Sequence, residues 1–281
     1  MSASRTALGV AVLRAAHQVL DAKPLILDDP IAMPLLDADT RAWVSGAPEE
    51  LQSAPARGLR GHVVTRSRVA EDRLLSAIGR GVGQYVILGA GYDTFAYRQP
   101  AAVANLQVFE VDQRATQDDK RQRLVAAQIA EPANTTFVAV DFTREDLADR
   151  LQAEGFQSGT PACFSWLGVS MYLDEAANDA VFRYVAAQPS GSELVFTFAP
   201  LAEAHGSPDA SDRGRLAERA AQVGEPWQTF YDPPALVTRL RALGFSSVWM
   251  PTPAELAAAY FLDRPDDLPL PRRRTLVAAI V

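Results

Sequence analysis

From residue 84 onward, short apolar runs alternate with segments whose apolar residues recur every three or four positions. The runs fall at 85–88, 106–110, 136–140, 162–166, 193–198, 246–250 and 275–281, and they are rich in Val, Ile and Phe. The helical spacings fall at 113–129, 145–153, 175–187, 212–222 and 234–243. This alternation predicts an α/β fold, with seven strands in a parallel sheet and helices on both faces. Before residue 84 the period is helical. Leu8, Val12, Leu13, Ala16 and Leu20 mark an amphipathic helix over 6–20, and Val63, Ala70, Leu74, Leu75 and Ile78 mark the inner face of a second over 59–78. Gly79, Gly81 and Gly83 end that second helix, while Asp28-Asp29-Pro30 and Met33-Pro34 break the chain between the two. The expectation is a helical appendage over 1–83 packed on a sheet domain over 84–281. The interval 200–226 is polar, carries Gly206, Pro208 and Gly214, and is longer than an ordinary connection. It is expected to form a lid.

The first run ends abruptly in Gly89-Ala90-Gly91, with Asp93 two residues on, and the second ends in Glu110, 21 residues after Gly89. A strand, a glycine turn and a second strand tipped by an acid form a nucleotide half-site. The glycines let the backbone approach a ligand, and the distal acid accepts hydrogen bonds from ribose hydroxyls. A dinucleotide fingerprint would carry a third glycine where Thr94 stands, and Asp93 would repel a diphosphate. A carboxylate beside the turn suits a ligand with a positive end, which predicts S-adenosyl-L-methionine, released as S-adenosyl-L-homocysteine. Asp93 also reads simply as the cap of a tight strand-to-helix turn.

In open α/β sheets ligands sit beyond the carboxyl ends of the strands. The third run ends in Asp141-Phe142, an acid for an adenine amino group beside an aromatic ring for its face. Asp141 equally suits an N-cap for the helix expected near residue 145. The fourth run ends in Trp166-Leu167-Gly168, below where a methyl donor would point. On the helix before the first strand, Arg66 or Arg68 is placed to hold the cofactor's carboxylate, since a guanidinium matches a carboxylate in bidentate fashion. A salt bridge to Glu71 or Asp72 is the alternative for either.

Composition narrows the partners. A formal charge of −7 argues against nucleic acid, and Arg272-Arg273-Arg274 reads as a solvated turn. Cys163 is the single cysteine and lies in an apolar run, so no internal disulfide forms and the residue reads as a buried strand position. His17, His62 and His205 have no ligand spacing, so no metal site is expected. Neither a signal peptide nor a run of 18 apolar residues is present. The chain is therefore expected in the cytoplasm, away from membranes, as a monomer or homodimer with a small-molecule acceptor.

Five segments carry a family resemblance: Thr65 to Asp72, Val86 to Arg98, Val108 to Asp112, Trp166 to Leu173, and Gly224-Glu-Pro-Trp227. Together they resemble the leucine carboxyl methyltransferase family, in its bacterial branch of S-adenosylmethionine-dependent O-methyltransferases. The resemblance implies the class I methyltransferase fold, Rossmann-like, with seven strands of which the last is antiparallel. It also implies methyl transfer to oxygen, often that of a carboxylate. By position, Arg66 resembles the arginine on the methionine carboxylate, Gly89 and Gly91 the cofactor glycines, Glu110 the ribose acid, and Asp141 with Phe142 the adenine contacts. This chain departs from the family at Phe95, where an arginine is usual, at Glu71, where an aspartate is, and at Leu167, where many members carry a glutamate facing the reaction site.

Transfer from a sulfonium needs proximity and alignment and no metal. An ionised carboxylate needs no base, whereas a phenol or alcohol would. The scarcity of histidine favours a carboxylate or an acidic hydroxyl. Catalytic candidates reduce to Tyr172 after the fourth run and His205 in the expected lid. The expected activity is O-methylation of a small molecule of secondary metabolism. A protein C-terminal carboxylate as acceptor, or a non-catalytic cofactor-binding scaffold, are the alternatives.

Overall fold

The computed structural model of the protein describes residues 3–99, 103, 105–201, 217–218, 220–222 and 224–281. The expected lid over 200–226 and helix over 212–222 fall largely outside the described residues, and His205 falls wholly outside them.

All seven expected strands form. They are β1 (Gln84–Leu88), β2 (Gln107–Asp112), β3 (Thr135–Ala139), β4 (Ala162–Trp166), β5 (Glu193–Thr197), β6 (Ser247–Trp249) and β7 (Leu276–Ile280). They make one sheet in the order β3-β2-β1-β4-β5-β7-β6. β7 pairs antiparallel with both β5 and β6, and the other pairings are parallel, as the resemblance implied. Every residue of β1, β4 and β5 is buried, which is why these strands read as continuous apolar runs without alternation. Glu193, the exception in β5, is fully buried between Arg73 and Arg80. From β1 the chain steps outward through β2 to β3, then returns to lay β4 on the other side of β1. The crevice above the β1 and β4 ends is thus the switch point where such sheets bind ligands.

Side chains alternate between the two faces. Val86, Leu88, Phe164, Trp166, Leu194 and Phe196 pack against α6 (Leu147–Ala153), α7 (Glu175–Ala186) and the helix Pro233–Leu243. Tyr85, Ile87, Val108 and Cys163 face α4 (Ala54–Gly79) through Leu74 and Ala77. On that same face lie α1 (Arg5–Leu20) and α5 (Arg114–Ala126), which share a cluster including Ala11, Leu13, Tyr92 and Leu124. The cluster also takes in Val44 of α2 (Ala38–Ser45) and Leu51 of α3 (Glu49–Gln52), two short helices that sequence periodicity missed. α2 starts from a side-chain cap, in which Asp37 accepts from the Thr40 amide at 2.8 Å.

α4 begins at Ala54, five residues before its apolar stripe, because Pro55 is compatible with a first helical turn. Ala257-Ala258-Ala259 lies in a π-helical turn, Ala257–Phe261, directly after the helix Pro253–Leu256. Among the described residues no helix is long and apolar enough to cross a membrane.

Candidate active site

The turn after β1 is built around two left-handed glycines, Gly89 at φ +65° and Gly91 at φ +50°. A Cβ on Gly89 would overlap Val169 Cγ2, and one on Gly91 would lie 3.1 Å from the Ala7 Cβ of α1. Both positions therefore need glycine for space as well as for backbone conformation. The Ala90 amide donates to the Val111 carbonyl at 2.9 Å, so the turn stays registered on β2.

Glu110 and Asp112 point the same way from β2, since they are two residues apart. Their environments differ. Glu110 lies opposite Ile87, below the strand end, with its side chain fully buried. Lys120 Nζ sits 2.5 Å from Glu110 Oε2, and the Tyr97 hydroxyl donates to the same oxygen at 3.4 Å. Burial raises the Glu110 carboxyl to about 6 against the opposing pull of Lys120. Glu110, expected as the ribose acid, lies in an internal ion pair with Lys120, and β2 runs two residues beyond it. The acid at the tip is Asp112, which accepts from the Gly91 amide at 2.6 Å and the Gln113 amide at 2.7 Å.

Arg66 and Arg68 divide the two expectations between them. Arg68 pairs with Asp72 at 2.9 Å on the outer face of α4. Arg66 is buried, its Nε has no hydrogen-bond partner, and it makes no ion pair among the described residues. Burial lowers its pKa to about 10, so it stays charged at neutral pH. Its terminal nitrogens would lie 2.9 Å from a Cβ placed on Gly168, so the left-handed Gly168 (φ +76°) leaves room for the guanidinium at the end of β4. A buried guanidinium without a partner is costly, and a ligand carboxylate would satisfy it.

Asp93 caps the turn as expected of a local role, since its Oδ1 accepts from the Phe95 amide at 2.8 Å. Its Oδ2 faces Arg14 of α1 at 3.7 Å. Around it lie buried Asp29, 3.5 Å from Arg14 and 3.6 Å from Arg98, and Glu71, which Arg98 engages bidentately. Three carboxylates thus face two guanidiniums beside the glycine turn, and burial together with this crowding raises Glu71. A cationic ligand group would balance the surplus negative charge.

Asp141 and Phe142 follow β3. Asp141 Oδ1 accepts from the Thr143 amide at 3.0 Å and the Thr143 hydroxyl at 2.7 Å, organising a turn. Asp141 does not cap the next helix, which starts at Leu147 under Asp146. Asp141 lines a cavity of about 420 Å³ with Gln113, Arg114, Ala115 and Val140, beyond the ends of β2 and β3. Phe142 packs on the adjacent core.

After β4, Leu167 is half-buried. It packs with Val69 and Ala70 of α4, Val195 of β5 and Leu276 of β7, an apolar cluster in which a carboxylate would be stranded. Tyr172 closes the short helix Ser170–Tyr172 and lies near enough to Arg66 to interact with it electrostatically. Sequence reasoning gave no role to Asp112, Arg14 or Glu225. The signal for Asp112 was its period-two relation to Glu110; the other two act across the fold.

The family model described as leucine carboxyl methyltransferase matches residues 7–186. YktD of Bacillus subtilis (strain 168), named as a candidate S-adenosyl-L-methionine-dependent methyltransferase, is 32% identical over 288 residues, covering 94% of this chain and 93% of that one. A Mycobacterium marinum protein with the same kind of name is 31% identical over 269 residues, covering 92% and 88%. Among solved structures, a candidate methyltransferase from Thermobifida fusca matches with a TM-score of 0.54 at 19% identity, over 96% of this chain and 92% of that one. A Streptomyces avermitilis protein matches at 0.53 and 16% identity, over 95% of both chains. The chain belongs to the leucine carboxyl methyltransferase family and is an S-adenosyl-L-methionine-dependent methyltransferase of the class I fold.

Proposed function

We propose that this enzyme methylates a carboxylate oxygen of a small molecule. The carrying observation is the chemistry of the β4 exit, where Trp166 to Leu173 supply no histidine and no carboxylate. A hydroxyl acceptor would need a base near the transferred methyl, whereas an ionised carboxylate needs only alignment and the exclusion of water. Bound S-adenosyl-L-methionine supplies a sulfonium-activated methyl group. In this reading Arg66 binds the cofactor's carboxylate, the surplus charge around Asp93 faces its ammonium, Asp112 accepts from the ribose, and Asp141 with Phe142 borders the adenine.

Methylating a mixture of carboxylic and hydroxy acids with tritium-methyl cofactor tests the acceptor class. A methyl ester releases volatile labelled methanol in mild alkali, while a methyl ether keeps its label. Label that survives alkali would overturn the carboxylate reading and leave the methyltransferase assignment standing.

The two acids of β2 make a second test. Asp112→Ala is expected to weaken S-adenosyl-L-homocysteine binding by one to two decades, since hydrogen bonds to a charged group contribute about 1.5–3 kcal/mol. Glu110→Gln should leave binding nearly unchanged and lower the melting temperature, because breaking a buried ion pair costs roughly 3–5 kcal/mol. Calorimetry and thermal unfolding on both variants decide it; the reverse pattern would return the ribose to Glu110.

A further inference from the structure

Glu225 lies 219 to 221 residues from the start of α1, yet its carboxylate holds that start. Oε2 accepts from the Ser4 hydroxyl at 3.2 Å and from the Thr6 hydroxyl, and Oε1 accepts from the Arg5 amide at 3.2 Å. α1 has no acidic residue in its own first turn, so Glu225 supplies the negative charge that a helix N-terminus favours. The turn it holds lies over the glycine site. Ala7 covers buried Gly91, and the Ser4 amide donates to Thr116 Oγ1 at 3.4 Å, on the first turn of α5 just past Asp112. Downstream of Glu225 the chain is fixed to the other side of the crevice. The Gln228 amide donates to the Met171 carbonyl at 2.7 Å, Gln228 Nε2 to the Tyr172 carbonyl at 2.6 Å, and the Thr229 hydroxyl to the Leu173 carbonyl at 2.6 Å. The strip 225–229 therefore crosses from the ends of β1 and β2 to the exit of β4, with Glu225 as the joint between its outer end and α1.

We infer that Glu225 is a positioning residue that latches the first turn of α1 over the cofactor site and sets how fast the cofactor enters and leaves. This rests on the proposed placement of the cofactor beside Gly91 and Asp112: the first turn of α1, through Ala7 and Ser4, then borders the ligand, and entry and exit both require that turn to lift. Releasing the latch accelerates both directions. A side chain that merely touched the ligand would change dissociation alone.

The test uses the full chain and tritiated S-adenosyl-L-methionine, with association followed directly and dissociation by chase with unlabelled cofactor. Glu225→Ala is expected to raise both rates by about tenfold, the size of one hydrogen bond to a charged group. The equilibrium affinity should move far less than either rate. Glu225→Gln, which keeps an acceptor oxygen, should fall between. Thr6→Val removes one donor from the opposite partner and should move both rates the same way, which keeps the test available if Glu225→Ala does not fold. Faster dissociation with unchanged association, or unchanged rates with a lower melting temperature, would overturn the latch.

Discussion

Arg66→Met is expected to weaken S-adenosyl-L-methionine binding by about a hundredfold and, at the same time, to leave the unliganded protein as stable as before or more so. The two effects have one origin. Arg66 is buried with an unpartnered Nε and makes no ion pair among the described residues, so the folded protein carries the desolvation of a guanidinium without a compensating carboxylate. Methionine fills similar space and removes that cost. In the proposed bound state the same guanidinium meets the cofactor's carboxylate, and hydrogen bonds between charged groups contribute about 1.5–3 kcal/mol each, which makes a hundredfold loss a modest expectation. Arg66→Lys keeps the charge but not the planar fork, and should recover only part of the affinity. Calorimetric titration and thermal unfolding on the same preparations check both halves. A fall in melting temperature with affinity unchanged would make Arg66 a structural residue and remove the carboxylate site.

The sheet was legible because its physics is local. A strand buried on both faces reads as a near-continuous apolar run, and β1, β4 and β5 announce themselves that way apart from Gln84, Ser165, Glu193 and Thr197. The short helices α2 and α3 were not legible, since each buries a single residue and so presents no apolar stripe. The late start of α6, at Leu147 instead of 145, follows from which aspartate caps it. Asp141 is occupied with Thr143, and Asp146 takes the cap.

The site divides along the same line. The glycine turn and the acids near it lie within a short stretch of chain, and pattern found them. Which acid reaches the strand tip depends on where β2 stops relative to β1, and one pleat period separates Glu110 in its ion pair with Lys120 from Asp112 at the tip. Only the fold tells the two arginines apart, giving Arg68 its partner and leaving Arg66 Nε without one. Leu167 stands where the family resemblance implied a glutamate, and the fold packs it against the α4–β5–β7 cluster. Arg14, which engages the Tyr92 carbonyl from α1, and Glu225, which holds the start of that helix, are contacts across 78 and about 220 positions that no spacing rule encodes.

Gly89→Ala should abolish measurable cofactor binding, and its partial rescue by a second substitution would tell two causes apart. The backbone at Gly89 has φ +65°, where an L side chain costs about 1–2 kcal/mol. The new Cβ would also overlap Val169 Cγ2, and overpacking of this kind costs roughly 1–3 kcal/mol. Val169 cannot yield freely, because it immediately precedes the helix Ser170–Tyr172, whose Met171 and Tyr172 carbonyls anchor the strip through Gln228. Displacing it would shift Gly168 and the seat of Arg66, so the cofactor's carboxylate site would be disturbed from a residue that never touches it. In Gly89→Ala/Val169→Ala the overlap is gone and the φ strain remains. The double variant should therefore recover most of the lost stability while staying about 1–2 kcal/mol below the parent, with a coupling energy of the sign expected for residues in contact. Thermal unfolding of the four-protein cycle measures that coupling, and additive losses would mean that Gly89 and Val169 do not meet in solution.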